Sequence, residues 1–395
     1  MARRVAVVGT GQFKYKTKHH TVSSPDMYFE VVKSCLEDAE LTVNDIDAVV
    51  FGTGPEALDG INGVDKWCAD AVGALNKPLM RINTGGATGG STALAALDHI
   101  SSGMFDVVVA VAGQRMGQST AHSQYTLSLG FDPIVTKPFS MNSLPLFAGD
   151  ALICMKKYGF DEYHMARIAV KNHLNALNNP YAHLRIKTTM EEALKAKFLS
   201  YPLRLLDLCP SSEGACALIL ASEEKAARIA RRPAWINGFT AGTTIINPGL
   251  GGTDSTYSWD RISQRAYRMA GIDNPRKQIQ VAEPYIPVSY QEIPAYAAFG
   301  FCEPHEAAKL VEDGFGEMGG EVPFCPSGGT LCSNTIGASG LARVAEAAIQ
   351  VMGKGGARQV PNVKNALATA GGGIFGTGGM TAFFLDVLVL GAEPR

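Results

Sequence analysis

The chain has 395 residues, of which 46% are apolar and 18% are charged, with a formal net charge of −2. This length suits about two or three domains around a large buried core, and the composition excludes a disordered protein. The balanced charge gives no indication of a nucleic-acid partner, and no apolar run approaches the roughly 18 residues of a membrane span.

The first predicted strand covers residues 5–8, directly after Arg3 and Arg4. Its apolar run stops at Gly9 without a cleavage site, which is not typical of a signal peptide. A cytoplasmic protein is therefore expected, and its eight cysteines are expected to be reduced and mostly buried. None of them forms a CxxC pair or lies near histidine at zinc spacing, so no metal site is predicted.

One motif occurs twice at a constant offset. Residues 83–89 (Asn-Thr-Gly-Gly-Ala-Thr-Gly) match residues 334–340 (Asn-Thr-Ile-Gly-Ala-Ser-Gly), and each copy runs into an alanine-rich helical pattern. Upstream of each copy, residues 39–50 and residues 270–283 share the pattern of a helix, a short loop and a buried strand. Two matching motifs in the same order predict a duplicated mixed α/β unit.

The repeat places the boundary between the two halves after a charged predicted helix at residues 223–232. The first half is predicted to cover residues 1–232, and the second half, beginning with a strand near 233–236, residues 233–395. Residues from about 115 to 200 match nothing in the second half. They are interpreted as an insertion that either shapes a substrate pocket or acts as a structural cap.

The first copy of the repeat is a predicted strand–turn–helix corner. Residues 79–82 are strand-like and lead through Gly85 and Gly86 into a helix. A helix start of this kind presents free backbone N–H groups, which can hold negative charge that develops on an oxygen. Such a corner alone is weak evidence of function, because many α/β proteins have one.

Several motifs together resemble the thiolase superfamily, most closely its sterol-carrier-protein-2-like branch. They are the two corners, residues 202–210 (Pro-Leu-Arg-Leu-Leu-Asp-Leu-Cys-Pro) with residues 213–215 (Glu-Gly-Ala), and Ser-Gly-Gly at 327–329 ahead of the second corner. The resemblance covers nearly the whole chain. It implies the α/β thiolase fold, with two repeated mixed halves in a layered α-β-α-β-α arrangement, and a coenzyme A thioester as substrate, with no bound cofactor.

The departures from the family pattern are at its catalytic positions. The cysteine nucleophile that thiolases carry at the first corner corresponds to Gly86, and their two histidines correspond to Tyr285 and Asn334. Without a side-chain nucleophile at residue 86, no acyl-enzyme can form there. Gly86 is expected to leave its backbone N–H group and to open room for a bulky or branched acyl group, steroidal or aromatic.

Three functions remain open. In the first, a β-hydroxyacyl-CoA undergoes retro-aldol cleavage, with Tyr285 as base or acid if its neighbours lower its pKa, and with Asn334 as a donor to the thioester oxygen. This resembles the cysteine-less steroid side-chain aldolases of the branch, which carry a second tyrosine in place of Asn334. In the second, an acyltransferase of the thiolase type uses coenzyme A directly, or Cys332 or Cys325 as nucleophile. In the third, the chain is a non-catalytic acyl-CoA-binding or lipid-binding subunit.

Four further residues are predicted to contact the substrate: Gly85 in the corner, Tyr290 as a second-choice acid, and Gly372 and Gly373 in the glycine-rich loop that matches the family's C-terminal active-site loop. A tyrosine at a strand end is more often a packing residue, and this applies to Tyr285 as well. The resemblance also implies a homodimer, and a small partner subunit with an OB-fold and a zinc ribbon, which would hold any zinc.

Overall fold

The structure is a computed structural model that describes residues 3–118, 123–129, 134, 138, 143–243, 259–372 and 383–395. These residues form eleven strands and fourteen α-helices. The strands are β1 (Val5–Gln12), β2 (Ala48–Thr53), β3 (Leu79–Ile82), β4 (Val107–Arg115), β5 (Phe198–Ser200), β6 (Leu203–Arg204), β7 (Glu213–Ser222), β8 (Ala234–Thr243), β9 (Val281–Glu283), β10 (Asn365–Gly372) and β11 (Phe384–Gly391).

The helices of the first half are α1 (Ser24–Asp38), α2 (Val64–Cys68), α3 (Thr88–Ser101), α4 (Ser123–Ser128), α5 (Ser143–Tyr158), α6 (Glu162–Ala176), α7 (Met190–Lys195) and α8 (Glu223–Ile229). Those of the second half are α9 (Trp259–Met269), α10 (Pro275–Gln278), α11 (Glu292–Ala298), α12 (Ala307–Glu312), α13 (Gly329–Cys332) and α14 (Ser339–Met352). Helices α4 to α7 belong to the segment interpreted as an insertion.

Nine strands form one mixed sheet in the order β3-β2-β4-β7-β1-β8-β11-β10-β9. Among the described strands, its two halves meet only through a short pairing of β1 with β8, Ala6 opposite Trp235 and Val7 opposite Ala234. Strand β2 runs parallel to β3 and β4, and β9 runs parallel to β10, while the other neighbours are antiparallel. The strands of each sequence half thus lie side by side.

The layered arrangement follows from strands that are apolar on both faces. Within β4, Val109 packs with α1 on the outer side, whereas Val108 packs with α3 and α14 on the inner side. Within β11, Leu388 faces the same inner cluster, whereas Val387 packs with α9 and α11. All residues of α14 are buried, as expected for a helix in a central layer. The predicted α-β-α-β-α thiolase arrangement is therefore confirmed.

The repeat occupies the centre of this arrangement. Its two helices, α3 and α14, begin at corresponding places and pack against each other. A Cβ at Gly89 would overlap the backbone nitrogen of Leu341, and a Cβ at the matching Gly340 would lie 2.8 Å from the nitrogen of Gly90. Only glycine permits this backbone approach, which explains why the repeat ends on glycine in both copies.

Substituting Gly340 with alanine should therefore lower the free energy of unfolding by about 2 kcal/mol through overpacking. A matched control is Gly149→Ala in α5, where an added Cβ would meet nothing within 4 Å. That change should be neutral or stabilise the protein by up to about 1 kcal/mol, because alanine favours helix. Urea unfolding of both variants checks the expectation, and equal stabilities would contradict the close helix approach.

Several sequence-based boundaries are also confirmed or corrected. The strands expected at residues 5–8 and 79–82 are present, while the charged helix ends at Ile229 rather than at residue 232. The last strand of the sheet is described from Phe384. The glycine-rich residues 373–379 lie outside the described residues. No helix in the described part of the chain has both the length and the apolarity to cross a bilayer.

Candidate active site

The first corner lies between β3 and α3, and Gly85–Ala87 forms a single 3-10 turn there. Gly85 has a φ of +61°, a left-handed conformation that suits glycine. Gly86 follows Gly85 and is partly exposed, so the surface of the described residues leaves the corner open to a bound molecule.

The space beside Gly86 is already filled. A Cβ on Gly86 would lie 2.9 Å from the hydroxyl oxygen of Tyr285 and 2.5 Å from the carbonyl oxygen of Gly371. The expectation that Gly86 opens room for a bulky acyl group is therefore wrong. Tyr285 instead places its hydroxyl where a side chain of residue 86 would begin.

Hydrogen bonds fix both the backbone and the side chain of Tyr285. It follows β9, and its backbone N–H donates to the Thr369 hydroxyl on β10 at 3.0 Å. Its side chain is buried, with 6% of its surface exposed, and its hydroxyl donates to Asn334 Oδ1 over a long 3.4 Å. Burial, reinforced by the nearby Cys209 thiol, raises the pKa of Tyr285 above its ordinary value. The idea that neighbours lower this pKa is corrected, because a protonated tyrosine is a donor rather than a base.

Asn334 begins the second corner, and its hydrogen bonds fix the orientation of its amide. The Thr335 N–H donates to the Ser339 hydroxyl at 2.9 Å, which leaves the Ser339 proton for Asn334 Oδ1 at 2.8 Å. The N–H of Ile336 also donates to Oδ1, at 3.2 Å. The amide nitrogen Nδ2 therefore points the other way and presents a donor to the site.

Ile336 marks the second corner as strained. It corresponds to Gly85 in the repeat and has a φ of +52°, although its side chain is β-branched. This conformation is a genuine outlier for such a residue, and strain of this kind concentrates at functional sites. The turn that Ile336 closes places Asn334 beside Tyr285.

The cysteine that reaches this site is Cys209, which the sequence did not single out as a candidate. Asn334 Nδ2 donates to its sulfur at 3.1 Å, and the residue as a whole is partly exposed. Burial raises its pKa to about 11, although the Asn334 bond pulls the other way. The only signal was its position in the Leu-Cys-Pro stretch of the family resemblance.

Cys325 and Cys332 are poor replacements for the missing nucleophile. Both are fully buried, and burial raises the pKa of each thiol. The Cys332 sulfur lies 3.6 Å from His173 Nδ1, but His173 is itself fully buried. A thiol that stays protonated and inaccessible does not act as a nucleophile.

The end of β10 closes over the first corner. A Cβ on Gly372 would overlap the backbone of Thr84, Gly86 and Ala87, so the strand approaches the turn as closely as glycine allows. This placement agrees with an active-site position for Gly372, while its contact with substrate stays a prediction. Gly373 lies outside the described residues.

Tyr290 is not brought to the corners. It is fully buried, and its hydroxyl donates to Asp150 of α5 at 2.6 Å. The nearby carboxylates are also engaged elsewhere, since Glu283 pairs with Arg343 and Glu292 with Lys171. The expectation that Tyr290 serves as a second acid at the substrate is therefore corrected to a packing role.

Replacing Gly86 with cysteine should not restore a thiolase nucleophile. The new Cβ would collide with the Gly371 carbonyl and displace the Tyr285 hydroxyl. We expect Gly86→Ala and Gly86→Cys to lower turnover by a similar factor, about tenfold or more, because a misplaced catalytic group costs up to about 10²-fold. Turnover assays on both variants check this. A cysteine variant more active than the alanine variant would contradict the occupied pocket.

This chain is similar to known protein families, to characterised relatives and to solved structures. A family model described as the thiolase N-terminal domain matches residues 5–224, and one described as thiolase C-terminal domain-like matches residues 253–383. Over 392 residues the chain is 28% identical to sterol carrier protein 2 of Gallus gallus, covering 93% of this chain and 69% of the relative. It is 29% identical to an acetyl-CoA acetyltransferase of Methanothermobacter thermautotrophicus, covering 96% and 99%.

Among solved structures, the chain is similar to the Ltp2-ChsH2(DUF35) aldolase, with a TM-score of 0.81 and 27% identity over 100% of this chain and 99% of that one. It is also similar in fold to human mitochondrial 3-ketoacyl-CoA thiolase, with a TM-score of 0.71 and 15% identity over 99% of both chains.

Proposed function

Because this chain belongs to the thiolase superfamily, whose nucleophile position it fills with Gly86, we propose that it cleaves a carbon–carbon bond of a β-hydroxyacyl-CoA by a retro-aldol reaction. The observation that carries the proposal is the Tyr285 hydroxyl at the place of the missing side chain, next to Asn334. Retro-aldol cleavage needs a proton acceptor for the β-hydroxyl and a hydrogen-bond donor for the thioester enolate oxygen, but no nucleophile.

In this reaction the β-hydroxyl loses its proton, its oxygen becomes a carbonyl, and the electrons of the Cα–Cβ bond pass to the thioester as an enolate. Asn334 Nδ2 is oriented to donate to the thioester oxygen as negative charge builds up there. The protonated Tyr285 hydroxyl, whose hydrogen bond to Asn334 is long, is available to donate to the β-oxygen. Protonation of the enolate carbon then releases the shortened acyl-CoA.

For the acyl group, we retain a bulky or branched class, steroidal or aromatic. It is supported by the resemblance to the cysteine-less steroid side-chain aldolases, whereas the similarity to the Ltp2-ChsH2(DUF35) aldolase supports the aldol type of reaction. Room beside Gly86 does not support it, because Tyr285 and Gly371 take that room. A large group would have to enter from another side of the two corners.

A second candidate is thiolytic cleavage of a β-ketoacyl-CoA. The partly exposed Cys209, in contact with Asn334, is the observation that favours it, and the similarity to an acetyl-CoA acetyltransferase agrees with it. The raised pKa of Cys209 weighs against it, because the thiolate is the nucleophile. We therefore place it second.

Two partners are proposed with the function. Strand β3 is an edge of the sheet, paired only with β2 among the described strands, and its Met80 is exposed, which suits edge-to-edge pairing in a homodimer. A small DUF35-type partner subunit is proposed from the Ltp2-ChsH2(DUF35) aldolase.

The test is turnover of one bulky substrate in its β-hydroxyacyl-CoA and β-ketoacyl-CoA forms, with and without free coenzyme A, followed by mass spectrometry. Cleavage of the hydroxy form without coenzyme A supports the proposal. Cleavage of the keto form alone, and only with coenzyme A, would replace it with the thiolytic alternative. No cleavage of either form, with a DUF35 partner added, would favour a binding subunit.

A further inference from the structure

Beneath the first corner lies a buried carboxylate that has no cationic partner among the described residues. Asp386, on β11, has 2% of its surface exposed and pairs across the sheet with Ala370 of β10. Its Oδ2 accepts a hydrogen bond from the Ser91 hydroxyl at 2.7 Å, and it lies 2.8 Å from where a Cβ of Gly90 would be. The group therefore lies between the start of α3 and the strand that leads to Gly371 and Gly372.

The other buried acids either face a cation or accept several hydrogen bonds. Each of the four buried glutamates has a cationic partner: Glu213 with Arg115, Glu283 with Arg343, Glu292 with Lys171 and Glu346 with Arg358. Among the buried aspartates, Asp59 accepts from Thr53, Gln114 and the Arg115 N–H, and Asp207 accepts from Ser289 and the Arg204 N–H. Among the described residues, the hydrogen bond to Asp386 comes from a neutral hydroxyl, that of Ser91. Burying an uncompensated charge is costly, so such a group marks a candidate for function.

The charged and titratable groups of the neighbouring elements do not compensate it either. Strands β8 and β10 carry none within their bounds. On the helices packed against β11 or beside it, these groups are Asp98 and His99 on α3, Arg343 and Glu346 on α14, and Asp260, Arg261, Arg265, Tyr267 and Arg268 on α9. Helix α9 packs on the opposite face of β11. Within the described chain, burial is the main influence on Asp386, and it raises the pKa of this carboxyl to about 7.

The hydroxyls of Ser91 and Thr84 connect Asp386 to the corner, and their hydrogen bonds both run toward Asp386. The Ser91 proton goes to Asp386, so the Thr84 hydroxyl, 2.8 Å away, must donate to the Ser91 oxygen. The Thr84 oxygen then keeps a lone pair for a further donor. Thr84 precedes Gly85 and is partly exposed, so a bound molecule at the corner can supply that donor.

Resting on the proposed function, we propose that Asp386, acting through Ser91 and Thr84, is the proton acceptor for the substrate β-hydroxyl. Tyr285 does not fill this role because it is protonated. The substrate proton passes to the Thr84 oxygen, the Thr84 proton to Ser91, and the Ser91 proton to Asp386, as the Cα–Cβ bond breaks. The proton leaves Asp386 by the reverse path and can protonate the enolate, so no other reactant is needed. Asp386 and Ser91 are thus positioning and relay residues, and Thr84 is the group that touches substrate.

The test uses the full-length protein, with its partner subunit if turnover requires one, on the β-hydroxyacyl-CoA. We expect Asp386→Asn to lower kcat/KM by about 10² or more, the usual contribution of a positioned proton acceptor. Ser91→Ala and Thr84→Val, which break the path, should lower it by about tenfold or more. Ser101→Ala, a serine of the same helix whose hydroxyl bonds to its own helix backbone, is the control and should stay within about twofold.

Two readouts separate this role from a purely structural one. The carboxylate accepts protons only when ionised, so wild-type kcat/KM should fall as pH drops below about 7, and Asp386→Asn should lose this limb. A buried aspartate with a raised pKa destabilises the fold at high pH, since the ionised form is favoured in the unfolded chain. Asp386→Asn should therefore unfold at a higher temperature than wild type at pH about 8, while being less active.

A failure of the relay and a failure of the proposed function would give different results. If wild type cleaves the hydroxy substrate and Asp386→Asn keeps its rate and its pH limb, the relay is overturned while the proposed function stands. If wild type does not cleave the hydroxy substrate at all, the proposed function is overturned, and the relay with it.

Discussion

Replacing Tyr285 with phenylalanine should lower kcat/KM for the β-hydroxyacyl-CoA by about 10²-fold to 10³-fold, the cost of losing one positioned hydrogen-bond donor. The change deletes only the hydroxyl that lies 2.9 Å from where a side chain of Gly86 would begin. The long 3.4 Å bond to Asn334 contributes little stability, so the protein should fold normally. Steady-state kinetics with thermal unfolding measures both effects.

The matched control is Tyr290→Phe. This tyrosine lies on the same segment, but its hydroxyl donates to the buried Asp150 of α5, away from the two corners. It should lose about 1–3 kcal/mol of stability through the broken buried bond and keep its turnover within a few-fold. Equal losses of turnover in the two variants would contradict a special role for Tyr285.

Replacing Asn334 with aspartate should lower turnover by at least about 10²-fold to 10³-fold, the cost of losing one donor to a developing oxyanion. Aspartate keeps the oxygen that accepts from Ser339 and Ile336, but it replaces the Nδ2 donor with an acceptor. It also brings negative charge to the place where the enolate oxygen would develop charge, which adds repulsion.

Ser339→Ala provides the graded comparison for Asn334. It removes the bond that sets the amide orientation while leaving the amide itself in place. A loss of turnover smaller than that of Asn334→Asp is expected, read as kcat and KM separately. If Asn334→Asp retained near-normal kcat, the thioester oxygen would have to be held elsewhere.

The duplicated architecture and the pairing of Tyr285 with Asn334 could be predicted from the sequence. A repeat with conserved order fixes which segments become equivalent, and both residues occupy positions defined by family motifs. Packing of α3 against α14 at Gly89 and Gly340 then brings the two corners together. Local patterns were sufficient for the architecture because strand and helix periods are strong signals, whereas the roles of Tyr285 and Asn334 came from the family resemblance.

The contents of the pocket could not be predicted in the same way. Whether Gly86 opens space depends on the distant Tyr285 and Gly371, and the sequence carries no distance between them. Cys332 looked suitable because it lies close to Asn334 along the chain, yet the neighbour in space is Cys209. Asp386 did leave a signal, as a single acid within an otherwise apolar strand, because such a residue is rarely buried without a purpose.

The most direct test of noncovalent cleavage at the Tyr285 corner is the intact mass of the protein during turnover of the β-hydroxyacyl-CoA without free coenzyme A. If Tyr285 and Asn334 act by hydrogen bonding alone, the shortened acyl-CoA accumulates while the protein mass stays unchanged. An acyl adduct formed instead from the matching β-ketoacyl-CoA, mapped to Cys209 and released only by added coenzyme A, would contradict this and establish a covalent thiolase mechanism.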